Sequence, residues 1–226
     1  MKLLLDNTFS PITSEIGFLQ VDHETAVEVY MSWQQQILGR YGLVLRREQL
    51  AQPLDESLRR LLPLSSSIRD RFLFVSTKGH WVAFFDNWWR GTDAAAPMCF
   101  LAGKLKCKGL RVVAVPHTMP AEVAKETQGE YGASILEVYD DTGNASRTIY
   151  AANDGGKWEF GQSGVPLPFE VLDVYRARRI QDRFNHERMD MYLREMGLRA
   201  FDETFYLPSA SLIRKEGVCR TPGVPS

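Results

Sequence analysis

Five large aromatics fall within nine residues, at Trp81, Phe84, Phe85, Trp88 and Trp89, and polar groups crowd in behind them. Asp86, Asn87, Arg90, Thr92 and Asp93 supply two carboxylates, an amide, a guanidinium and a hydroxyl. Carboxylates and an arginine beside indole faces are equipped to bind a ligand or a charged side chain of a partner. Tryptophan and arginine are also enriched where protein interfaces concentrate their binding energy. The same residues have an architectural use. Asp86 and Asn87 suit an Asx turn, Asp93 suits the cap of a following helix, and an indole suits a core. Adjacent side chains diverge on a strand and on a helix alike, so Trp88 and Trp89 resist joint burial. One of them is expected at the surface or at a pocket rim.

Other reactive groups are sparse. The four histidines are His23, His80, His117 and His186, and a histidine with an acidic partner works as a general base. His117 follows an expected strand, where sites often assemble, and His80 opens the aromatic strand. His186 precedes Glu187 and stands one helical turn from Asp190. No second histidine sits at a matching metal-binding offset, so a solvated His186 is expected. There is no Gly-x-Ser-x-Gly elbow, no Gly-x-Gly-x-x-Gly and no Walker loop. Cys99, Cys107 and Cys219 form no Cys-x-x-Cys pair, which disfavours a zinc ribbon. Cys99 and Cys107, on one expected helix, stand about 12 Å apart along its axis, too far for a disulfide. They are read as packing residues, and neither a metal nor a cofactor is expected.

Composition bounds the class. The chain has 226 residues, is 44% hydrophobic and 24% charged, and carries a net charge of −1. That is ample for one large core without disulfide or metal staples. Near-neutrality disfavours duplex nucleic acid as the main partner. The runs Arg176-Arg178-Arg179 and Lys104-Lys106-Lys108 are therefore read as solvated faces. Sparse cysteines fit a reducing compartment, the Met1–Asn7 start is too short for a secretory leader, and no apolar run spans a bilayer. These features place the chain in the cytoplasm.

The elements that must position the aromatic turn follow from periodicity. Residues 16–21 read as a strand, and 23–38 as an amphipathic helix capped by Asp22 and closed by Gly39 and Gly42. Residues 46–62 suggest one or two short helices. Residues 71–76 and 80–86 form an aromatic hairpin across Thr77-Lys78-Gly79, with apolar residues on both pleat faces. A helix over 97–107, ended by Gly109, leads into a strand over 110–115. Turn chemistry at 140–144 and 153–156 then divides strands 133–139, 146–152 and 157–160 into a meander. Residues 170–197 read as one long helix with Arg176, Arg179, Arg183, Glu187, Asp190 and Arg194 on its charged side and Gly197 as its end.

The expected fold is therefore α+β: a single domain over 1–216 and a loose tail over 217–226. Its mainly antiparallel sheet, with an aromatic hairpin and a meander, is packed by an N-terminal amphipathic helix and a long C-terminal helix. The expected function is a non-enzymatic cytosolic protein-binding module. By analogy of type it resembles small bacterial proteins that neutralise a toxin (immunity proteins). Its contacts are Asp86, Asn87, Trp88, Trp89, Arg90 and Asp93, with the carboxylates engaging a partner's basic side chains. The alternative is a small-molecule or nucleotide-processing enzyme with a pocket around Asp86, Arg90, Asp93 and His117. The oligomeric state is left open by the sequence, because a meander and a hairpin leave edge strands free to pair.

Overall fold

The computed structural model describes residues 2–119 and 129–217. The expected tail falls almost wholly outside these residues, as does Cys219.

Among the described residues nine strands form one antiparallel sheet. In chain order they are β1 (Glu15–Leu19), β2 (Val44–Leu50), β3 (Arg71–Thr77), β4 (Val82–Asp86), β5 (Gly109–Val115), β6 (Ala133–Tyr139), β7 (Ala145–Asp154), β8 (Lys157–Gly164) and β9 (Tyr206–Glu216). Their spatial order is β2-β9-β3-β4-β1-β5-β6-β7-β8. The fold class is thus the expected α+β, with both the aromatic hairpin and the meander in place.

Side chains alternate across this sheet, and both faces are covered. Phe72, Phe74, Val82 and Phe84 point to one face. There they meet Ala26, Val27 and Tyr30 of α1 (His23–Leu38), and Met98, Leu101 and Ala102 of α3 (Ala95–Leu105). Tyr30 lies 5.2 Å, centroid to centroid, from Phe74 and 5.3 Å from Phe72. Leu73, Val75, Ala83 and Phe85 point to the opposite face, into a larger core shared with Leu54 and Leu58 of α2 (Leu54–Arg59) and with Met189, Tyr192 and Leu193 of α5 (His186–Glu195). Two covered faces explain why β3 and β4 are near-continuous apolar runs rather than alternating ones.

Helix α1 matches its expected bounds. Asp22 accepts a 2.9 Å hydrogen bond from the Thr25 amide, and Gly42 turns left-handed at φ 72° to release the chain toward β2. The two-residue turn Gly155-Gly156 has φ of 59° and 98°, the geometry of a tight hairpin between β7 and β8.

Several expectations are corrected. Residues 46–62 hold an edge strand, β2, before the single short helix α2. Lys106, left-handed at φ 55°, ends α3, while Gly109 opens β5. Cys107 therefore lies beyond that helix, and Cys99 is exposed rather than packed. The long helix over 170–197 is three pieces: a 3₁₀ segment (Leu172–Arg176), α4 (Ile180–Arg183) and α5. The chain becomes extended at Ala177 (ψ 146°) and again at Phe184 (φ −147°, ψ 115°), which buries Phe184 in the core. Asn185 then caps α5 by accepting from the Arg188 amide at 3.0 Å. Arg183 donates to the Ala177 carbonyl, and Asp190 pairs with Arg194 at 2.8 Å. His186, expected in solvent, is buried, its ring centroid 4.2 Å from that of Phe201. Met191 on α5 is exposed.

Candidate functional site

The polar turn begins where β4 leaves the core. Asp86 is fully buried. Its Oδ1 accepts from the Trp88 amide at 2.9 Å, and its Oδ2 accepts from the Asp93 amide and from Arg69 Nη1, both at 3.3 Å. Burial pushes its carboxyl up to about 6, even though the Trp88 amide and Arg69 oppose that rise. The Thr92 hydroxyl accepts from the Asp86 amide and donates to the Ile12 carbonyl at 2.9 Å. Gly91, at φ 103°, passes close to the 11–12 segment: a Cβ there would stand 2.4 Å from the Pro11 carbonyl oxygen. The turn is thereby fixed from within.

Asn87 is buried as well. Its side-chain oxygen accepts from the Asp70 and Arg71 amides, both at 3.2 Å, and its amide donates to the Pro63 carbonyl at 3.3 Å and to Asp70 Oδ1. Backbone bonds join the same segments. The Ser65 amide donates to the Asn87 carbonyl at 2.8 Å, and the Trp89 amide donates to the Ser65 carbonyl at 3.1 Å. Asn87 therefore ties the 62–71 loop to the aromatic turn.

What remains outside is a mixed apolar and charged surface. Trp89 is 46% exposed, and Leu62 and Ile68 on the neighbouring loop are 48% and 52% exposed. Trp88 is half-buried and meets Trp89 edge to face, at 6.4 Å between centroids. The Arg90 guanidinium lies 4.6 Å above the Trp89 ring, and that of Arg69 lies 5.9 Å from Trp88. Arg69 also pairs with Asp93 at 2.9 Å. Behind Trp88 a cleft of about 320 Å³ is lined by Ser67, Ile68, Arg69, Asp93 and Lys215. Burial pushes the Lys215 ammonium down, and its Nζ rests 4.8 Å from the Phe72 ring centroid.

The expected residues thus divide in two. Trp88, Trp89, Arg90 and Asp93 reach the surface. Asp86 and Asn87 do not; their polar atoms are spent on the loop that carries the others, so neither is free to meet a partner's cation. The alternative pocket is not assembled either. His117 lines a separate cavity with Trp158 and His186, on the far side of β5, and His80 lines a cleft at the opposite end of β4. Sequence reasoning missed Leu62, Ile68, Arg69, Asp70 and Lys215. The run Ser65-Ser66-Ser67-Ile68-Arg69-Asp70 carries a readable signal, a polar loop with one unprotected isoleucine. Lys215 comes from β9 and carries none.

The surface offers indoles, aliphatic tips, guanidinium groups and the Asp93 carboxylate, with the Ser67 hydroxyl and the Lys215 ammonium in the cleft beside them. Among the described residues no group of three His, Cys, Asp or Glu could hold a metal ion, and no helix is long and apolar enough to cross a membrane. No family model, curated protein or solved structure matches this chain.

Proposed function

We propose that the chain is a cytosolic protein-binding module whose contact surface joins Trp88, Trp89 and Arg90 to Leu62 and Ile68 of the neighbouring loop. The observation that carries this reading is an exposed apolar patch held on a rigid base. Large apolar side chains lie open on the turn and on the loop bonded to it, while Asp86 and Asn87 are buried and bonded. Isolated exposed aliphatics are ordinary, but clustered ones rimmed by charge mark interaction sites.

The partner's chemistry follows from the charges. Among the described residues no carboxylate pairs with Arg90, which stacks on Trp89. A partner that inserts an apolar side chain beside Trp89 and presents a carboxylate to Arg90 completes both contacts. This reverses the polarity expected from Asp86 and Asp93. The immunity-type role, in which the captured protein is a toxin, is the specific form of this reading.

The test is capture and reconstitution. The intact chain is used as bait, its stoichiometric partner is identified and purified, and the dissociation constant is measured for wild type and for Trp89→Ala/Arg90→Glu. At least a tenfold loss, with a melting temperature within a few degrees of wild type, supports the surface. Unchanged affinity removes it.

A further inference from the structure

A second cleft, of about 390 Å³, opens at the other end of β4, between the start of α1 and the β3–β4 hairpin. Gln20, Asp22, His23, Ser76, Thr77 and His80 line it. Its floor holds a hydrogen-bond chain whose direction can be worked out from the donors.

Ser211 on β9 is fully buried. Its Oγ accepts from Arg47 Nε at 3.1 Å and donates its single proton to Gln49 Oε1 at 3.0 Å. The Gln49 amide is oriented by its own Nε2, which donates to Glu24 Oε1 at 3.3 Å, and Arg47 Nη2 donates to that same oxygen. With its proton committed, Ser211 has only a lone pair left for His23 Nε2, which lies 2.8 Å away. Nε2 must therefore carry the imidazole proton. Nδ1 then bears a lone pair, and Ser76 Oγ, 2.9 Å from it, donates into that lone pair. Three strands and a helix thus hold one tautomer, with the base aimed at a hydroxyl in an open cleft. Burial also pushes the His23 imidazole down from its ordinary value, which keeps the base neutral at pH 7.

We propose that Ser76 is a nucleophile and His23 its general base, in an acyl-transfer site that takes a small carboxylic ester. Ser76 Oγ bonds to the ester carbonyl carbon while its proton passes to His23 Nδ1. The carbon–alkoxy bond then breaks, and the departing alkoxide takes that proton as an alcohol. Water repeats the sequence: its oxygen attacks the acyl carbon, one proton goes to Nδ1, and Ser76 recovers it as the carboxylic acid leaves. The transient imidazolium is favoured by Glu24 on α1 and by the cap residue Asp22, and opposed by Arg47 on β2. Gln20 and His80 line the same cleft and bring to it the N–H groups that a carbonyl oxygen needs as it gains charge. Nothing in this site rests on the Trp89 surface.

The test uses the full chain, an alkyl fluorophosphonate with peptide mapping, and 4-nitrophenyl acetate hydrolysis across pH 4.5–8. The expected result is one covalent adduct, on Ser76, that is absent from Ser76→Ala. Labelling should be about 100-fold slower in His23→Gln. In the wild type, hydrolysis should rise with pH to a plateau through a midpoint below 6.5, the ordinary histidine value. A folded wild type without a Ser76 adduct overturns the proposal. So does equal labelling in His23→Gln. Should that variant not fold, a wild-type rate with no rise below pH 6.5 is equally decisive.

Discussion

Asp86 shows how one residue type supports two readings until its bonds are known. A buried carboxylate accepting two backbone amides and an arginine is a structural bracket, and its pH behaviour tests that placement. Its carboxyl is raised from 3.8 to about 6, so the folded state holds the proton more tightly than the unfolded state does. Its contribution is therefore most favourable below pH 4 and is lost as pH rises toward and through 6. Asp86→Asn has no such titration. The variant loses bonds at every pH, because its amide would face the Asp93 amide and Arg69. Its stability relative to wild type should nonetheless improve by up to about 3 kcal/mol between pH 4 and pH 7. Urea titrations at the two pH values check this, and a pH-independent difference would contradict a raised Asp86. Composition alone marked the 86–93 turn and the exposure of one of its indoles. It could not separate Asp86 and Asn87 from Arg90, because that division depends on the 62–71 loop, brought in by tertiary contact.

Element assignments were legible where one local signal dominates. Helix α1 has apolar spacing, an aspartate cap and a closing glycine, all in agreement. Residues 170–197 also show helical charge spacing, yet the helix breaks twice, because burying Phe184 outweighs local propensity. Another tertiary constraint holds the start of this region. Arg147 on β7 donates to both Glu170 carboxylate oxygens, at 2.8 and 2.6 Å, and both side chains are almost wholly buried. Glu170 also accepts from the Leu167 amide and the Tyr175 hydroxyl. Removing one partner leaves an uncompensated buried charge, so Arg147→Met should cost about 3–5 kcal/mol. Replacing both, as Arg147→Met/Glu170→Leu, should cost less than that single change. Denaturant unfolding measures both, and a loss below about 1 kcal/mol for Arg147→Met would contradict the buried pair.

At the scale of the whole molecule, the strand order was beyond the reach of the sequence. β9 arrives last in the chain and inserts between β2 and β3, which places the aromatic hairpin deep in the sheet and Lys215 behind Trp88. Nothing local in Tyr206–Glu216 announces that long-range pairing. The order fixes where the sheet is most protected. β1 and β4 are wholly buried and paired on both sides, whereas β8 is an edge strand with mostly open side chains. Amide exchange in β8 should run at least about 100-fold faster than in β1 and β4. Uniform protection across the sheet would argue against this order. A protected centre is also what holds the proposed contact surface steady, since the turn grows directly from β4. The measurement that bears most directly on the account is the affinity of the purified partner for wild type and for Trp89→Ala/Arg90→Glu. A loss of tenfold or more without a fall in melting temperature is the predicted result, and equal affinity would contradict it.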